Sequence, residues 1–143
     1  MSNLTLTPKQ IKEALLYKAS GLFKDRPVLF AYLFGSYTTG LFHPFSDIDI
    51  AIYVEDHALQ NSLEIELSMS IQIDQKLNCR AKSEVRIINN LPLAVTGKIV
   101  TEGIRIYSAD EIERVNFETF ILSAYFDFRP VIEEYQRTYF KSE

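Results

Sequence analysis

Seven consecutive apolar residues, Val28-Leu29-Phe30-Ala31-Tyr32-Leu33-Phe34, constrain this chain more than any other feature. The run is far too short to cross a membrane and has no polar face to offer water, so it predicts a fully buried strand. Helical patterns flank it. Upstream, Thr7-Pro8-Lys9-Gln10 is a helix start, with Thr7 as N-cap, Pro8 at the first helical position and Gln10 reaching back. Ile11, Leu15 and Leu22, with Ala14 and Ala19, give that helix its apolar stripe, and Gly21 and Pro27 bracket its end. Downstream, Gly35-Ser36 breaks the run and a turn-rich stretch follows (Thr38, Thr39, Gly40, His43, Pro44, Ser46).

Residues 47–54 then alternate with the two-residue period of a strand. Residues 58–77 predict a helix with Leu59, Leu63, Leu67, Ile71 and Ile73 or Asp74 near one face. Residues 84–88 predict another strand, 92–100 a short helix stopped near Gly103, and 104–107 a short strand. Ser108-Ala109-Asp110-Glu111 reads as a second capping box, opening a helical region that Pro130 kinks or divides. The order predicts an α+β fold, a small mixed β-sheet backed by helices. We expect one domain overall: a core over 1–107 and a helical extension over 108–143 packed on it.

Composition narrows the functional classes. A chain of 143 residues fits one domain with a real core, and 47% hydrophobic residues exclude disorder. The net charge of -4 argues against a dedicated nucleic-acid binder, and Lys24, Arg26, Arg80, Lys82 and Arg86 form no basic run. The single cysteine, Cys79, permits no internal disulfide; it suits a reducing cytoplasm and reads as a small buried apolar residue. No signal sequence and no membrane-spanning stretch is seen, so a soluble cytoplasmic protein is expected.

The chemistry lies between Gly35 and Asp49. Alternation puts Asp47 and Asp49 on one face of their strand and Ile48, Ile50 and Ile52 on the other. The isoleucines are core. Adjacent carboxylates repel and raise each other's pKa unless something positive neutralises them. Magnesium is the natural cation, since it takes one or two carboxylates together with substrate phosphates. Carboxylates two residues apart, about 6.6 Å along a strand, can converge on one ion or bridge two. Gly35 supplies a sharp turn, and Ser36 would open a helix start whose N–H groups can hold phosphate oxygens. Glu84, in the next predicted strand, is best placed as a third carboxylate, either as general base or as a ligand to a second metal.

Gly35-Ser36, ten residues, then Asp47-Ile48-Asp49 resembles the signature of the DNA polymerase beta-like nucleotidyltransferases. Leu33-Phe34-Gly35-Ser36-Tyr37 and Ser46-Asp47-Ile48-Asp49-Ile50-Ala51 are similar in particular to the minimal nucleotidyltransferase (MNT) family, and the likeness extends through Thr101-Glu102-Gly103. Many members of that family are antitoxins encoded beside a HEPN toxin, an all-helical ribonuclease. The resemblance implies a nucleotidyltransferase fold and transfer of AMP from Mg-ATP to a tyrosine hydroxyl of that toxin. It implies that Gly35 and Ser36 hold the triphosphate, that Asp47 and Asp49 bind magnesium, and that Glu84 stands where the family usually has an aspartate. The extra methylene of Glu84 keeps open an antitoxin that docks with little or no chemistry, and a small-molecule acceptor is a further alternative. A chain this small leaves little room for an acceptor-binding domain, which favours a protein acceptor, although a homodimer could also build a pocket.

Other residues have plainer readings. Ser46 contacts nucleotide or forms a turn, and His43 and His57 lack the company of other ligands. Tyr37 and Tyr53 flank the site and are expected to pack. The tail is dense in aromatics (Phe117, Phe120, Tyr125, Phe126, Phe128, Tyr135, Tyr139, Phe140), which predicts core or partner-contact surface.

Overall fold

A computed structural model describes residues 6–35 and 47–139. The chain runs α1 (Pro8–Phe23), β1 (Val28–Phe34), β2 (Ile48–Val54), a 3-10 helix (Asp56–Asn61) and α2 (Ser62–Lys76). It continues through β3 (Ser83–Ile87), α3 (Leu93–Glu102), β4 (Ile104–Ser108) and α4 (Glu111–Tyr139). The strands form one sheet in the order β3-β2-β1-β4. β1 is antiparallel to β2 and β4, while β2 is parallel to β3. The sheet is therefore small and mixed, as the element order predicts.

The apolar run becomes β1, an inner strand covered on both faces. Leu33 and Ile48, Ile50 and Ile52 of β2 pack with Ile11, Leu15 and Leu22 of α1 and Met69 and Ile73 of α2. On the other face Phe30, Tyr32 and Ala51 meet Ile99 of α3 and Phe117 of α4. The predicted capping box of α1 forms: Gln10 N–H donates to Thr7 Oγ1 at 3.2 Å, and Thr7 N–H to Gln10 Oε1 at 2.9 Å. No described helix is long and apolar enough to cross a membrane.

α2 differs from the sequence reading. Leu63, Leu67 and Ile71, the expected core stripe, are 67%, 58% and 58% exposed, while Met69 and Ile73 are buried and Ile65 is partly so. The helix carries two apolar rows with four-residue spacing, offset by two residues and so about 200° apart. Polar anchors accompany the buried row. Glu66 accepts from the Ile87 N–H at 2.9 Å, Ser70 Oγ donates to the Ser83 carbonyl at 2.7 Å, and Asp74 accepts from the Ser83 N–H at 2.8 Å. Residues 66, 70 and 74 share one helix face, so α2 is pinned along the edge strand β3.

Three smaller departures have local causes. Cys79 is exposed, not buried: Asn78 and Cys79 take φ of 57° and 56° in the turn that ends α2, so backbone geometry places it there. The cap of α4 is Asp110, whose carboxylate accepts from the Glu113 N–H at 3.0 Å, because Ser108 is already the last residue of β4. Pro130 does not divide α4, which is one helix of 29 residues. That helix is held to α3 at Gly97, where a Cβ would overlap the Tyr125 ring. Of the tail aromatics, Tyr125 is buried, whereas Phe120, Phe126, Phe128, Tyr135 and Tyr139 are exposed.

Candidate active site

At one end of the sheet β1 stops and β2 and β3 begin, and the register arranges side chains there in rows. Phe34 pairs with Asp49, and Asp49 with Glu84. The next row is Tyr32, Ala51 and Arg86. Behind it Phe30 pairs with Tyr53, and the Ile88 N–H reaches β2 at the Ile52 carbonyl. This third row is closed: Phe30 and Tyr53 stack at 4.6 Å with Phe117 tilted against Tyr53 at 4.9 Å, so Tyr53 packs as expected. The face is thus sealed by aromatics at one end and lined by carboxylates at the other.

Gly35 follows β1 directly, with φ of 83°, a conformation glycine reaches without strain. A Cβ at this position would run into the Asp49 carboxylate. Glycine is required twice over, for the turn and for the close approach. Asp49 is half-buried, while Asp47 and Glu84 are exposed. Burial, and then the charges of Glu84 and Asp47, push the Asp49 carboxyl up to about 6; a hydrogen bond with Glu84 adds to this, and Arg86 opposes it. The three acids therefore sense one another across two strands.

Sequence alternation located these groups but not their spacing. Asp49 and Glu84 are brought into one row beside Gly35, with Asp47 next to it. Ser36 and Ser46 lie outside the described residues, as do Tyr37 and His43. His57 is exposed in the 3-10 helix past the far end of β2, with Glu55 at 3.8 Å. The position of Arg86 was missed; its signal was the same two-residue period that selects Glu84.

Among the described residues no three acidic, histidine or cysteine side chains close on one point as a finished metal cage. The donor chemistry nevertheless suits a hard cation. Asp49 and Glu84 share a hydrogen bond on a face that also carries Asp47, and burial together with those neighbouring charges makes the Asp49 carboxyl resist ionisation. Magnesium prefers such oxygens and leaves the rest of its shell to water and phosphate.

Solved structures share this architecture. A chain from a toxin–antitoxin complex crystallised with AMP-PNP superposes with a TM-score of 0.59 at 20% identity, covering 85% of this chain and 98% of that one. An MNT antitoxin complex with the tri-AMPylated HEPN toxin of Shewanella oneidensis gives 0.57 at 17% identity, covering 87% and 98%. The MntA–HepT toxin–antitoxin complex gives 0.56 at 16%, with the same coverage. At these identities the likeness establishes the fold. No curated protein matches the sequence. The family profile described as polymerase beta, nucleotidyltransferase, matches residues 18–112, which include Gly35, all three acids and the whole four-stranded sheet. The chain belongs to the polymerase beta nucleotidyltransferase family.

Proposed function

We propose that this protein is an antitoxin of the MNT type, which transfers AMP from ATP to a tyrosine hydroxyl of a HEPN ribonuclease toxin and thereby silences it. The observation that carries the reading is the single row holding Asp49 and Glu84, with the Gly35 turn against it and Asp47 alongside. Solved chains of the same fold come from toxin–antitoxin complexes, one with a tri-AMPylated HEPN toxin, which supports this choice of acceptor.

Asp47 and Asp49 would hold magnesium, with Glu84 available to a second ion. When bound, the metal supplies the charge that neutralises the triphosphate and the departing pyrophosphate. The Gly35 turn brings backbone close to the carboxylates, so that its N–H groups and Ser36 receive the β- and γ-phosphates, with Ser46 a further nucleotide contact. Glu84, where it is not engaged by a second ion, takes the proton as the acceptor oxygen attacks the α-phosphorus in line. The new O–P bond forms, the bond to the β-phosphate oxygen breaks, and pyrophosphate leaves with the electron pair. In this reading the protein acts in the cytoplasm, where ATP and such a toxin would meet it.

A second reading, docking without chemistry, is favoured by Glu84 itself, a glutamate where the resembled family usually has an aspartate. Intact-mass spectrometry of the co-expressed toxin after incubation with this protein, ATP and magnesium separates the two. Transfer adds one or more AMP masses, and Asp47→Asn abolishes the gain. Tight binding and toxin inhibition with no mass gain would leave the docking reading in its place.

A further inference from the structure

Arg86 has no part in the mechanism above, yet the sheet places it at the site. β3 alternates Ser83, Val85 and Ile87 into the core with Glu84 and Arg86 outward. Arg86 pairs with Ala51, one row behind Glu84 and Asp49. Two residues along a strand and one strand across put its Cα about 8 Å from that of Asp49, a distance an extended arginine side chain covers. The row behind it is closed by aromatics, so the open side of the face is the side with the carboxylates.

Among the described residues its charge is not spent on an ion pair away from this face. Arg114, Arg129 and Arg137 each hold a glutamate of their own helix. Among the described residues Arg86 makes no such ion pair, although acids occupy the adjoining row, and it is exposed. A nucleoside triphosphate is strongly anionic, and the acids of the site add to that charge. Metal ions cancel part of it, and a fixed guanidinium beside them cancels more while its planar fork matches two phosphate oxygens.

We propose that Arg86 is a phosphate ligand of this site, gripping the nucleotide's phosphate chain from the β3 edge, across the carboxylates from the Gly35 turn. The assignment rests on the nucleotidyltransferase reading of the same face.

Calorimetric titration of the protein with ATP and magnesium tests it without any acceptor. Arg86→Ala weakens ATP binding about 10- to 100-fold, the range expected for a charge-assisted bidentate contact. Arg86→Lys keeps the charge but not the fork and falls between the two. Millimolar guanidinium ion restores part of the affinity of Arg86→Ala, and adenosine binds both proteins alike. Arg105→Ala serves as control, since Arg105 pairs with Tyr32 at the other edge of the sheet and should bind ATP as the wild type does. ATP binding unchanged in Arg86→Ala, or an equal loss in Arg105→Ala, overturns the assignment. A wild-type protein that does not bind Mg-ATP overturns the nucleotidyltransferase reading on which it rests.

Discussion

Replacing Asp49 with asparagine should stabilise the metal-free protein while removing its activity. The Asp49 carboxyl is held at about 6, against an ordinary value of 3.8, first by burial and then by Glu84 and Asp47. Keeping it ionised at neutral pH corresponds to about 3 kcal/mol at about 1.4 kcal/mol per pH unit. The group is only partly buried, and solvent screening reduces this to about 1–1.5 kcal/mol. The folded state binds the proton more tightly than the unfolded chain does, so the contribution favours folding at low pH. It is lost as pH rises from about 4 through about 6. Asparagine carries no such charge. Asp49→Asn should therefore match the wild type near pH 4 and exceed it by about 1 kcal/mol at pH 7.5. For 143 residues this corresponds to a melting temperature higher by about 3–4 °C. Thermal and urea unfolding in EDTA, at several pH values, measure it. Added magnesium and ATP should stabilise the wild type and not the variant, narrowing or reversing the gap. A variant less stable than wild type at pH 7.5 in EDTA, or a gain independent of pH, would refute the reasoning.

Gly35→Ala should lose about 1–3 kcal/mol by urea titration, since a Cβ there meets both a positive φ and the Asp49 carboxylate; it should also lose ATP binding. Gly97→Ala should cost about 1–3 kcal/mol through overlap with Tyr125, and in a double-mutant cycle Tyr125→Ala should recover part of that loss. Tyr32→Phe removes the hydroxyl that donates to Glu118 and should cost about 1 kcal/mol in the same titration. Leu67→Lys, on the exposed row of α2, should change stability by no more than about 0.5 kcal/mol; a larger loss would mean that this row is covered.

Period and punctuation made much of the molecule legible. A seven-residue apolar run between turn signals reads as an interior strand, and alternation across 47–54 separates core isoleucines from outward aspartates without tertiary knowledge. Thr7-Pro8 marks a boundary through backbone chemistry that is local to it, whereas Gly103 ends α3 at an ordinary φ, where a Cβ would meet the Ile99 and Leu33 carbonyls. What the sequence could not decide were choices between equivalent local options. α2 offers two apolar rows, and its orientation is set by Glu66, Ser70 and Asp74 binding a strand distant in sequence. Cys79 carries no signal of the left-handed turn that exposes it. Glu84 was identified as a strand carboxylate, but its place opposite Asp49 depends on how β3 pairs with β2. Arg86 looked like one scattered charge until that pairing put it behind the acids.

The pairing of β3 with β2 also acts as a proofreading device. The strands are parallel and joined by a crossover through α2, so their alignment is not dictated by any tight turn. A slip of one residue would bury Glu84 and Arg86 and expose Ser83, Val85 and Ile87. Such a misaligned chain loses its core together with its site, and two buried charges make it far less stable than the native arrangement. The population that folds is therefore one in which Glu84 stays on the Asp49 face, and a well-folded molecule with Glu84 turned into the core is excluded by the same side-chain alternation that builds the sheet.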